Sequence, residues 1–164
     1  MGKLHANSQS CSRPVGRSAA AFLLAQVGAH AALKFGERLA KLKLAPPHAG
    51  MLRILNSSPG MTQQRLAAIL GMVPSRLVAL MDDMESRGLI ERRENRDDRR
   101  RYALHVTDKG CSMLDKIGQL SREHSQALLN ALSDDERALL GTLLQRIADE
   151  QGLTRGVHPG FSGL

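Results

Sequence analysis

The sequence predicts a mainly α fold with a small β-hairpin wing, and three features of residues 61–107 carry that prediction. Two short apolar-striped segments of helical period are joined through Gly71. A stretch of period two follows, and it is tipped by Arg96-Asp97-Asp98-Arg99-Arg100-Arg101. A helix pair followed by a basic hairpin is a winged helix-turn-helix, an arrangement that points to duplex DNA as partner.

Composition agrees. The 164 residues carry 23 lysines and arginines against 16 acids, a formal net charge of +7, with an apolar fraction of 42% that is ordinary for a folded domain. A basic chain can meet a membrane surface or an RNA as readily as DNA, so the position of the charge decides. It is concentrated, because residues 87 to 101 hold seven arginines against Glu91, Glu94, Asp97 and Asp98. Single-stranded RNA recognition relies on aromatic stacking, and Tyr102 is the only aromatic near the hairpin. No run approaches the ~18 uninterrupted apolar residues of a membrane span. Met1-Gly2-Lys3-Leu4-His5 lacks the apolar stretch of a signal peptide, so a cytoplasmic protein with no membrane partner is expected. Cys11 and Cys111 are too few and too far apart for a disulfide framework or a zinc ribbon.

Taken in order, residues 1–17 and 152–164 are rich in Ser, Gly and other turn formers with little periodicity, and are expected to be flexible tails around one domain at 18–151. A first helix over about 18–42 stops before Pro46-Pro47, because a residue preceding proline avoids the helical region. Pro47 suits the first turn of a second helix over 48–55. Thr62 can cap a third helix that runs through Leu70 with Leu66, Ile69 and Leu70 on one face, and Gly71 supplies the turn. The fourth helix opens with Pro74 and carries Leu77, Leu80, Met81 and Met84 as its inner stripe, leaving Ser75, Arg76, Ala79, Asp82 and Asp83 outward. Gly88 ends it, and 89–93 with 101–106 read as two strands.

Thr107-Asp108 starts a fifth helix reaching about Leu132, and Ser133-Asp134-Asp135-Glu136 is a capping box for a sixth that carries Leu139, Leu140, Leu143, Leu144 and Ile147. The fifth has a near-heptad seam at Leu114, Ile117, Ser121, His124 and Leu128. Terminal helices at 18–44 and 108–151 carry more apolar surface than a small winged unit at 45–107 would cover, so pairing with a second copy is expected.

In order and spacing, Leu66-Ala67-Ala68-Ile69-Leu70-Gly71, Pro74-Ser75, Leu80-Met81-Asp82, Arg87-Gly88-Leu89-Ile90-Glu91-Arg92, Asp98-Arg99-Arg100 and Val106-Thr107-Asp108-Lys109-Gly110 resemble the multiple-antibiotic-resistance repressor (MarR) family of bacterial regulators over about residues 20 to 150. The Asp-x-Arg wing, followed seven residues after its Arg by Thr-x-x-Gly, is the most specific part. The resemblance implies a homodimer of six-helix winged subunits, dimerising through the terminal helices. It also implies a palindromic DNA operator, repression as the family habit, and release by a small aromatic or phenolic effector.

A recognition helix presents its N-terminal residues to base edges in the major groove, which nominates Pro74, Ser75 and Arg76. Thr62 and Gln63, at a helix start, are candidates to hold phosphate. By the family motif Arg100 enters the minor groove with Asp98 fixing its direction, while Arg92, Arg93, Arg96 and Arg99 neutralise phosphates. Val73, Arg76, Val78 and Ala79 depart from the common pattern, in which a capping hydroxyl, small hydroxyl residues and an arginine stand at these places. In this family the effector pocket lies between the dimerisation helices and the DNA-binding lobe. His30, His48 and Arg53 are the polar candidates there, the arginine suited to a carboxylate and the histidines to a phenol.

Rival readings have less behind them. His105, Cys111, Glu123 and His124 show no metal-ligand spacing, so no metal or cofactor is expected. A thiol-responsive regulator would rest on Cys11 or Cys111. No phosphate loop, Gly-x-Ser-x-Gly or His-Glu-x-x-His supports an enzyme. A winged protein-interaction module would lack the basic residues present here.

Overall fold

The computed structural model describes residues 19–94, 102–158 and 161. The tail expected at 1–17, with Cys11, and the wing-tip residues Arg96, Asp98, Arg99 and Arg100 lie outside the described residues. The elements run α1 (Ala19–Ala40), α2 (Pro46–Ser57), β1 (Met61–Thr62), α3 (Gln63–Leu70), α4 (Pro74–Ser86), β2 (Ile90–Glu94), β3 (Tyr102–Val106), α5 (Asp108–Leu128) and α6 (Asp134–Glu150).

The chain divides into two units, residues 1–33 and 34–164. In the first, α1 exposes Phe22, Leu23, Leu24, Val27 and Leu33. It is the one helix among the described residues long and apolar enough to cross a membrane by length and composition, although Gln26 and His30 interrupt its apolar run.

In the second unit the core gathers around Leu39, Met51, Leu52, Leu55, Leu66, Leu77, Met81, Met84, Ile90 and Leu104, all at most 1% exposed. Burying each such side chain contributes roughly 1.5–3 kcal/mol. The inner stripe of α4 is thus Leu77, Met81 and Met84, with Leu80 only partly covered. On α5, Ile117 is buried while Met113 and Leu114 pack against the core. α6 has no buried residue, and Leu139, Leu143, Leu144 and Ile147 are exposed.

Three expectations change. The hairpin gains a third strand: the sheet order is β1-β3-β2, with Met61 opposite Leu104 and Thr62 opposite Ala103. A two-residue strand is too short to show a period. α5 ends at Leu128, four residues early, because the Leu129 carbonyl accepts from Leu132 N and Arg137 Nε and the chain turns into the Ser133 cap. The segment expected as a mobile C-terminal tail places Phe161 in the core at 6% exposure, with Val157 packed beside it. Gly50, inside α2, makes room: a Cβ there would lie 2.7 Å from Phe161 Cε2.

Candidate nucleic-acid interface

The helix-turn-helix is set by its caps. Thr62 Oγ1 accepts from Arg65 N at 3.3 Å and starts α3. Gly71 ends it in the left-handed region at φ 62°, where a side chain would be strained, and Met72 N donates back to Ala67 O at 3.0 Å. Val73 then stands at the N-cap of α4 in extended conformation with no side-chain cap bond, and Pro74 occupies the first turn, where its missing N–H costs nothing. This geometry projects Ser75 and Pro74 into solvent and leaves Arg76 half-buried, with no ion pair to another described residue. Thr62 and Gln63 are half-buried at the start of α3.

The second half of α4 carries three acids, and each is neutralised within the fold. Arg92 Nη2 meets Asp82 Oδ1 at 2.6 Å and its Nη1 donates to Glu85. Asp83 Oδ2 lies 3.2 Å from Arg87 Nη1 and 3.4 Å from His48 Nε2. Arg87 also donates to Lys43 O at 2.9 Å and Leu42 O at 3.3 Å, tying the end of α4 to the turn after α1.

Strand periodicity explains why Arg92 differs from its neighbour. In the β2–β3 register Ile90 faces Val106, Arg92 faces Leu104 and Glu94 faces Tyr102, so Arg92 shares the inner side of the sheet with buried Ile90 and Leu104. Its stem crosses apolar surface to reach α4. Arg92, nominated as a phosphate contact, is therefore held by two carboxylates. Arg93 lies on the other side, 61% exposed, with Nη2 2.5 Å from Glu91 Oε1. Sequence reasoning missed the roles of Asp82 and Glu85; their i, i+3 spacing opposite the alternating Ile90 and Arg92 was the available signal.

The effector candidates are each described in their own surroundings. His30 is exposed on α1, and Arg53 is exposed on α2 with its Nη2 against Gly156. His48 spends both ring nitrogens inside the fold: Nδ1 accepts from Ala45 N at 3.0 Å, and Nε2 faces Asp83. Burial pulls its pKa down, Asp83 opposes that, and Arg87 adds to the lowering. Among the described residues no three of His, Cys, Asp and Glu converge as a metal site. His124 packs against Phe35 with ring centroids 5.4 Å apart, Glu123 Oε2 lies 3.9 Å from Arg38, and Cys111 is exposed in the first turn of α5.

Comparison with known proteins agrees with this architecture. Residues 42–101 match the model of the MarR family. A protein of Thauera aromatica described as a transcriptional regulatory protein for the hcr operon is 36% identical over 104 residues, 63% of this chain; the match spans 63% of that relative's length. The HTH-type transcriptional regulator BilQ of Clostridium symbiosum is 30% identical over 104 residues, covering 63% of this chain and 69% of the relative. Among solved structures, the transcriptional repressor CouR bound to a 23-mer DNA duplex superposes with a TM-score of 0.69 at 31% identity, covering 79% of this chain and 92% of CouR. Six helices and a three-stranded wing sheet among the described residues, with these likenesses, make one conclusion: the chain belongs to the MarR family of winged helix-turn-helix transcriptional regulators, which are not enzymes.

Proposed function

We propose that this chain is a cytoplasmic, DNA-binding repressor that acts as a homodimer on a palindromic operator and is released by a small aromatic or carboxylate effector. The charge arrangement of α4 carries the reading. Asp82, Asp83 and Glu85 each have a basic partner in the fold, so the helix can approach phosphates while Ser75 and Arg76 at its exposed start meet base edges.

Thr62 and Gln63 hold phosphate at the start of α3, and Arg93, Arg96 and Arg99 neutralise the backbone along the wing. Arg100, oriented by Asp98, enters the minor groove. The uncovered apolar faces of α1 and α6 are each suited to a second copy, and a two-fold pair reads half-sites one helical turn, about 34 Å, apart. Arg53, exposed and basic, is the charged contact proposed for a carboxylate effector.

Fluorescence anisotropy of the full chain against the duplex upstream of its own gene and a scrambled duplex, over a salt series, tests this. Tight binding that prefers the native duplex and weakens with salt supports it. Equal, weak binding to both contradicts it.

A further inference from the structure

The first two turns of α4 present an unusual surface for a helix aimed at a polyanion. At 100° per residue, Ser75 and Ala79 sit at the centre of the outward face, with Arg76 on one flank and Val78 on the other. Val73 is 64% exposed, Val78 is 37% exposed, and Ala79 is exposed. Around one arginine and one serine, the exposed start of α4 is therefore apolar.

These residues give the fold little. Val73 stands where a side-chain oxygen would cap the helix, and it makes no such bond. Its side chain is neither in the core nor packed against it. Together Val73, Val78 and Ala79 present apolar atoms at the start of the helix that the DNA-binding reading sends into the major groove.

Base edges in that groove carry hydrogen-bonding groups and one apolar group, the C5-methyl of thymine. We infer that Val73, Val78 and Ala79 read thymine methyl groups, so that the preferred half-site sets thymines beside the guanine suited to Arg76. This rests on the DNA-binding reading above. It concerns three positions whose side chains carry no hydrogen-bonding group and can meet a base edge only through apolar contact.

The test uses the full chain to select duplexes from a random library, then replaces each thymine of the enriched half-site by deoxyuridine, which keeps the pairing and removes only the methyl. At one or more positions affinity should fall about fourfold per methyl, the effect of one buried methylene-sized group. Val73→Ser, which supplies a capping hydroxyl and so does not threaten the fold, should abolish the thymine preference at one of those positions and leave the others. An enriched site that binds equally with uracil at every thymine overturns the inference while leaving DNA binding intact. Selection that enriches no sequence overturns the DNA-binding reading and this inference with it.

Discussion

The carbonyl oxygen of Leu89 lies 2.1 Å from the place a Cβ on Gly110 would occupy, and Val106 Cγ1 lies 2.6 Å from it. Thr107 N donates to that same carbonyl at 3.1 Å. Thr107 Oγ1 accepts from Gly110 N at 3.0 Å and donates to Gly88 O at 2.7 Å, and Lys109 Nζ donates to Arg87 O at 2.6 Å. Thr-x-x-Gly is thus the joint that seats α5 on the base of the wing: the threonine caps the helix, and the glycine lets it approach.

Gly110→Ala should therefore cost about 3 kcal/mol, the upper end for overpacking, because the obstructing atom is backbone and cannot rotate away. Thr107→Ala should cost about 1–2 kcal/mol as a lost cap. Urea unfolding reads both, and an unchanged midpoint in Gly110→Ala would contradict the joint.

Arg92 and Arg93 are adjacent arginines with different expected roles. Arg92→Ala removes partly exposed ion pairs and should lower stability by no more than about 1 kcal/mol. It leaves Asp82 and Glu85 uncompensated on α4, so DNA affinity should fall with the salt slope unchanged. Arg93→Ala should reduce that slope by about one, as loss of a phosphate contact does. Equal slopes for the two variants would refute the distinction.

Much of this was legible in the sequence because local rules act where tertiary demands agree with them. The caps at Thr62, Thr107 and Ser133, the turn at Gly71 and the stripe of α4 are set within one or two helical turns of chain. What escaped reading depends on distant residues. β1 exists because Met61 finds Leu104, and Phe161 is buried because Gly50 leaves a space in α2. Arg92 looked like its exposed neighbours until the register placed it on the inner side of the sheet beside Asp82 and Glu85. Composition marks a basic run without saying which member the fold consumes.

His48 gives a pH dependence with a definite sign. Burial holds its folded-state pKa below the ordinary 6.5, so the unfolded chain takes the proton first as pH falls. Its contribution is complete above 6.5, declines as pH drops below that value, and levels off once the folded imidazole also protonates. His48→Gln should lose less stability than the parent between about pH 7.5 and about pH 5.5, measured by urea unfolding. A parent and variant with parallel pH profiles would show that His48 does not carry the effect.

Whether the start of α4 reads base edges is decided by comparing Arg76→Ala with the parent on an enriched operator and on each of its single base-pair changes. The variant should keep the parent's thermal midpoint and lose discrimination by on the order of 5- to 100-fold at one base pair in each half-site, the worth of a bidentate arginine–guanine contact. A variant that retains the parent's full specificity profile would show that Arg76 reads no base.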